Sequence, residues 1–226
     1  MTDMKGSIII PCLNSHEIVR RQLLWFDSWM KPFDSEWNLI IVDDGSSPSL
    51  EGTTYNFNTY IIHIPEHAQK WTQPHARNMG ARHARDAEYL FFTDIDHIIT
   101  PETLGEANRF KGDKLQFTRK TGFLDKYGIL HSSKEDLLTF GTNEFVPRHR
   151  IHQATCSIRK IIHESIGGFN ESFCGTHGPD DIEYAKRYNN HVQLGFYKPS
   201  ELAKNTLYVF PDPAKNSQKL FHSLER

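Results

Sequence analysis

Along the first hundred residues, short apolar runs alternate with longer segments whose apolar positions recur at helical spacing. "SIIIPCLN" reads as a short buried strand ending at Pro11. "SHEIVRRQLLWFDSWMK" carries Ile18, Leu23, Leu24, Trp25 and Trp29 on a helical period, with Ser15 as its candidate N-cap. "WNLIIVDDGSS" is a second buried strand with turn residues behind it, and "TYIIHIP" a third. "QPHARNMGARHARDA" is helix-like, with Ala76, Met79, Ala84 and Ala87 as its small or apolar positions. "EYLFFTDID" is the next strand. This rhythm predicts an α/β fold, a mostly parallel sheet with helices on its faces.

The second half is less regular. "TPETLGEANRFK" opens with a cap-like Thr100-Pro101-Glu102 and reads as a short helix, followed by a strand at "KLQFTRK". Residues 121–150 show mixed charge, scattered Gly and no period, which predicts a loop or insertion on the active face. "HQATCSIRKIIHESIGGFNE" reads as a strand, then a short helix closed by Gly167-Gly168. "DDIEYAKRYNNH" is a helix with acids in its first turn, where the helix dipole favours them. "LGFYKP" and "TLYVFPDP" are expected as short terminal strands.

Composition narrows the class. The chain has 226 residues, 38% hydrophobic and 24% charged, with a net charge of −2. That is an ordinary globular balance, without a global pull toward nucleic acid or anionic membrane. The 13 His residues should make the charge clearly positive below about pH 6. Cys12, Cys156 and Cys174 are widely spaced and odd in number, so reduced thiols are expected rather than a zinc site or a disulfide framework. No apolar run reaches the length of a spanning helix, which leads us to expect a soluble, cytoplasmic protein.

The chemistry gathers at strand ends. In open α/β sheets, ligands bind beyond the carboxyl ends of the strands. Asn14, Asp43–Asp44 and Asp94–Asp96 all stand at such ends. Strand alternation would put Asp94 and Asp96 on one face, where hard oxygen ligands suit Mg2+ or Mn2+ bridging to phosphates. The bland alternative is a solvated strand end. Asp43-Asp44-Gly45-Ser46 is either a site for base or sugar or an ordinary turn. Arg77 offers a donor fork that suits phosphate, or it is one more Arg on a solvated helix. His75 and His83 lack paired ligand spacing, whereas His97 adjoins the acidic pair. Asp180 and Asp181 follow a Gly-rich loop and open a helix. They could cap it, or one could act as a general base.

Taken in order, these elements resemble the GT-A glycosyltransferases, specifically the large inverting family 2. "IIIPCLN" stands for its IIPxYN-like strand, with Cys12 and Leu13 in place of the usual hydroxyl and aromatic residues. "IIVDDGSS" matches its VDDGS element. "ARNMGARHARDAEYLFFTDID" matches ARNxGxxxAxGEYLxFLDxD, with Asp86 where Gly is common. "GGFNESFCGTHGPDDIEYAKR" matches GGFDExFxGxGxEDxExxxR, with Asp180 in place of Glu. This last element is also similar to the carboxyl-terminal part of galactosyltransferase-type enzymes. The likeness covers nearly the whole chain outside residues 104–150.

The resemblance implies one GT-A catalytic domain over 1–226, with a nucleotide-sugar half at 1–100 and an acceptor half at 101–226. It implies Mn2+ or Mg2+ on Asp96 and Asp94, and a nucleotide-sugar donor, most simply a UDP-sugar. Pro11, Asp43, Asp44, Arg77 and Asp94 would lie along that donor. Asp181 would be the base and Asp180 would bind or orient the acceptor, with inversion at the anomeric carbon. Several relatives add a metal-binding His from the last strand, for which Asp212 and His222 are the candidates here. The acceptor is a glycan or another hydroxyl compound. Arg148, His149, Arg150 and His152 near the acceptor loop leave a phosphorylated or nucleic acid acceptor open. A non-catalytic sugar-nucleotide or glycan-binding module is the alternative, and the retained carboxylates argue against it. A nucleotidyltransferase or dehydrogenase would need a Gly-rich loop that "PCLNSHE" lacks.

Overall fold

The computed structural model describes residues 4–50, 56–65, 72–139, 151–175 and 179–211. The first half runs β1 (Gly6–Cys12), α1 (His16–Trp29), β2 (Trp37–Asp44), β3 (Thr59–Ile64), α2 (Gln73–His83) and β4 (Tyr89–Phe92). Then follow β5 (His97–Ile98), α3 (Pro101–Arg109), β6 (Lys114–Thr121), β7 (Phe123–Leu124), β8 (Leu130–His131) and α4 (Lys134–Thr139). The last part holds β9 (Ile151–Arg159), α5 (Lys160–Ser165), α6 (Asp180–Gln193), β10 (Glu201–Leu202) and β11 (Leu207–Val209).

The main sheet has the order β3-β2-β1-β4-β9-β6-β11-β5, with β10 pairing on β6. Strands β3, β2, β1 and β4 are mutually parallel, so their carboxyl ends share one rim. β9 runs antiparallel between β4 and β6. This mixed α/β architecture, a largely parallel sheet flanked by helices, agrees with the expected GT-A fold.

The continuous apolar runs arise because the central strands are covered on both faces. On one face Ile8, Ile10, Leu39, Ile41 and Phe91 pack with Phe26 of α1 and Leu104 of α3. On the other, Ile9, Ile40, Val42 and Phe92 pack with Ala76 of α2, Ile162 of α5 and Tyr184 of α6. α2 lies close to the sheet because position 80 has no side chain: a Cβ there would collide with Ile9.

Several local expectations change. Ser15 sits at the N-cap position of α1 but makes no capping bond, because its hydroxyl donates to the Leu13 carbonyl at 2.9 Å. Thr100 does cap α3, accepting from Thr103 N. Leu24, counted on the apolar face of α1, is 36% exposed, and Gln22 is buried instead. "LGFYKP" is not a strand. It forms the turn that ends α6, with Phe196 N donating to His191 O, and the short strand comes later, at Glu201–Leu202. Within 121–139, the stretch expected to be irregular, lie the β7–β8 hairpin and α4, elements too short to leave a period. Residues 140–150 are outside the described residues. Cys12, Cys156 and Cys174 are free thiols.

Candidate active site

The rim begins with β1 and β2, which are stitched together just past their ends. Asn14 N donates to Ser46 Oγ and Ser47 N to Asn14 Oδ1, both at 2.8 Å. This crossing needs left-handed backbone at Asn14 (φ 50°) and Gly45 (φ 87°), which Asn and Gly tolerate best. Pro11 is buried within β1. Asp43 is 1% exposed, and both its oxygens are engaged: Oδ1 accepts from Ser46 N, Oδ2 from Leu50 N and His63. Burial pushes its carboxyl up, but the hydrogen bonds from Leu50 and Ser46 outweigh this and lower it. Asp44 points to the other face and accepts from the hydroxyl of Thr72, just before α2.

Asp94 and Asp96 meet in a different way from the one the sequence suggested. β4 stops at Phe92, so no strand alternation aligns them. A turn brings them together, with His97 N donating to Asp94 O at 3.0 Å. The turn is held from below by α1, where buried Gln22 donates to the carbonyls of Ile95 and His97 at 3.1 and 2.8 Å. From the side, Phe210 N donates to Asp96 O at 2.9 Å, which places the end of the described chain beside the turn. Asp212 and His222 lie outside the described residues.

Arg77 links the two acidic groups. It is 1% exposed, donating to Asp94 Oδ1 at 2.5 Å through Nη2 and to Asp180 Oδ2 at 3.1 Å through Nη1. Gln73 adds a second bond to Asp94 Oδ1 at 2.8 Å. Thus the first turns of α2 reach from Asp44 to Asp94 and across to α6. Asn78, one residue on, pairs with both backbone groups of Phe169 and so docks the Gly167-Gly168 loop against α2. Asp180 is buried at the start of α6 and points at Arg77 rather than capping the helix, whose N-cap is Pro179. Asp181 is more accessible; its Oδ1 accepts from Ile182 N at 2.7 Å.

The electrostatics follow from this crowding. Burial would raise the Asp94 carboxyl, but Arg77, then His152 and His97, hold it well below the usual range. Burial and the charge of Asp94 raise Asp96. Burial also raises Asp180, with Arg77 opposing. His97 is pushed down to about 4, first by burial. Asp94 and Asp180 therefore share Arg77, while Asp96 is drawn toward His152 and Arg119.

A divalent ion fits part of this cluster. Asp94, Asp96 and His97 each bring a ligand atom within 4.8 Å of the others. The Asp96 carboxylate accepts no hydrogen bond from another described side chain, and Asp94 Oδ2 has only the longer approaches of His152 at 3.6 Å and His97 at 4.0 Å, so hard oxygen donors are available in an anionic setting. His97 suits the ion less well, because Arg119 donates to its Nε2 and Thr155 contacts its Nδ1. His75 and His83 stay outside the cluster, on Glu171 and the Met79 carbonyl. His152, grouped by sequence with a basic loop, lies inside it, 3.6 Å from Asp94 and 3.9 Å from Asp181. Arg148, His149 and Arg150 are outside the described residues.

The profile of glycosyl transferase family 2 matches residues 7–157, a span holding Asp43, Asp44, Arg77, Asp94 and Asp96 but ending before α6. No curated protein matches the chain. Among solved structures, the catalytic domain of Drosophila beta1,4-galactosyltransferase 7 with xylobiose superposes with a TM-score of 0.56 at 10% identity. That match covers 94% of this chain and 73% of the other. A mutant of the same Drosophila enzyme, in complex with manganese, UDP-Gal and xylobiose, gives 0.55 at 11% identity over 95% and 74%. At such identities the superpositions speak for the fold, while the profile spans most of the chain. No helix among the described residues is long and apolar enough to cross a membrane. This chain belongs to glycosyl transferase family 2.

Proposed function

We propose that the protein transfers a sugar from a UDP-sugar to an acceptor hydroxyl, with inversion and with dependence on a divalent metal. The observation that carries this reading is Arg77, whose two arms hold Asp94 of the turn and Asp180 of α6 around one buried guanidinium. In this reading Asp94 serves the leaving-group side and Asp180 the acceptor side, and Arg77 holds the two close together. The Drosophila enzyme of the same fold is seen with manganese, UDP-Gal and xylobiose, which favours a UDP-sugar donor and a glycan acceptor.

Asp94 and Asp96 would hold Mn2+ or Mg2+, whose charge offsets that of the departing diphosphate. Pro11, Asp43 and Asp44 would lie toward base and ribose. Asp43 has both oxygens engaged and shapes the loop, and Asp44 accepts from Thr72 on the other face. Arg77, paired on both arms, supports this side by orienting Asp94. Asp181 would accept the proton of the acceptor hydroxyl as that oxygen bonds to the anomeric carbon and the bond to the diphosphate breaks on the opposite face. Asp180, buried against Arg77, would fix the base side rather than take the proton.

A panel of nucleotide sugars tests this directly. With Mn2+, at least one UDP-sugar should release UDP, and EDTA should stop the release. Binding without any turnover across the panel, with or without glycan acceptors, would favour the non-catalytic binding module instead.

A further inference from the structure

We propose that His152 is a positioning residue for Asp181, its ring locked in one tautomer by a hydrogen-bond chain running from Arg119 through His97 and Thr155. The proposal rests on the reading of Asp181 as the base.

The direction of the chain is set by its first member. A guanidinium can only donate. Arg119 Nη1 is 2.9 Å from His97 Nε2, so that nitrogen must accept, and the proton of His97 is on Nδ1. Nδ1 then donates to Thr155 Oγ1, 2.9 Å away. Thr155 is fully buried, and its own O–H needs an acceptor inside the protein. The other group in contact with that hydroxyl among the described residues is His152 Nδ1, at 3.3 Å. Asp94 Oδ2 also faces this nitrogen, but at 3.6 Å it is beyond hydrogen-bond reach, whereas the Thr155 hydroxyl is within it. Nδ1 of His152 is therefore the acceptor, and its proton is on Nε2. That N–H faces Asp181 Oδ2 across 3.9 Å. Closing about an ångström would make it a charge-assisted hydrogen bond. Asp181 Oδ1 is already held by Ile182 N, so both oxygens would be oriented.

The backbone supplies an independent reason for the arrangement. Successive strand residues alternate between faces, so 152 and 155 would normally diverge. β9 breaks its register here: Gln116 of β6 pairs with Cys156, but Thr118 pairs with Ile151 rather than with Ala154. The irregularity spans 152–155 and turns both side chains toward the site. Bulges beside active sites commonly re-aim side chains in this way.

Long-range proton–nitrogen NMR of the full chain labelled with nitrogen-15 histidine reads the tautomers without reference to activity. His97 should show the Nδ1–H form and His152 the Nε2–H form, each assigned by loss of its signals in His97→Gln and His152→Gln. Thr155→Val should release His152 into a tautomer mixture. It should lower kcat for UDP-sugar turnover by about tenfold to a hundredfold, the cost of a misplaced group, with donor KM little changed. Thr155→Ser should restore both. An Nδ1–H form of His152 in the parent protein would overturn the proposal, as would a folded Thr155→Val with unchanged tautomer and turnover. The expected tautomers together with normal turnover by Asp181→Asn would overturn the base assignment and with it the positioning role, while leaving the hydrogen-bond chain intact.

Discussion

Replacing Arg77 with Met should cost more stability than any surface change, and the loss should be mainly electrostatic. The side chain is 1% exposed, and its partners Asp94 and Asp180 have side chains only 17% and 5% exposed. At the observed 2.5 and 3.1 Å, each pair has a gross attraction of about 5–7 kcal/mol at an effective dielectric near 20. Most of that offsets desolvation of the ions. Removing the cation leaves both carboxylates without it, and the net loss expected for a broken buried pair is about 3–5 kcal/mol. Met keeps the aliphatic stem, so little of this is cavity cost, but it loses the guanidinium that lies 5.0 Å over the Phe169 ring. Urea unfolding in EDTA would measure it, and at this size a drop in Tm of roughly 6–20 °C should accompany it. Adding Asp180→Asn to Arg77→Met should recover about 1–2 kcal/mol, since an amide needs no counter-charge. A loss below about 1 kcal/mol, or no recovery in the double variant, would refute the view of Arg77 as the clamp between the two acidic groups.

Two further predictions concern the frame around the site. Gly80→Ala gains about 1 kcal/mol in helix propensity, but its Cβ would collide with fully buried Ile9 and lie 3.2 Å from Val42 Cγ2. A net destabilisation of about 1–2 kcal/mol is expected, and a raised Tm would contradict the close α2–sheet packing. His163, buried against Tyr184 at 2.9 Å, is pushed down to about 3 by burial, aided by Arg187 and Lys160. Its contribution is complete above the unfolded value near 6.5 and is lost as pH falls toward 3. Between pH 6 and 4, therefore, the stability of the parent should fall more steeply than that of His163→Gln, by up to about 1.4 kcal/mol per pH unit. Parallel slopes in urea titrations would show that the ring is protonated in the folded protein.

Much of the frame was legible because its signals are local. β1, β2 and β4 are covered on both faces and so read as unbroken apolar runs. The strand pattern puts Asn14, Asp43–Asp44 and Asp94–Asp96 on one rim. What was hidden depends on contacts between distant segments. Gln22 is outside the apolar positions of α1, yet it is buried and its amide holds the turn of Asp94 and Asp96 from 73 and 75 positions away. Arg77 suggested a phosphate contact, but its partners, 17 and 103 positions away, are carboxylates. That pairing follows from the packing of α6 on β9, which brings Asp180 to Arg77 and which no periodicity encodes. His152 was obscured by the register break in β9, since alternation assumes an unbroken ladder.

Calorimetric titration of UDP, with Mn2+ and with EDTA, tests the central claim most directly when the parent is set beside Asp96→Asn and Asp181→Asn. The account predicts that the parent binds UDP strongly only with Mn2+ and that Asp96→Asn loses this metal-dependent binding while remaining folded. Asp181→Asn should bind like the parent, yet turn over the UDP-sugar at least ~10²-fold more slowly. Asp96→Asn binding UDP and Mn2+ as the parent does, or Asp181→Asn turning over at the parental rate, would contradict it.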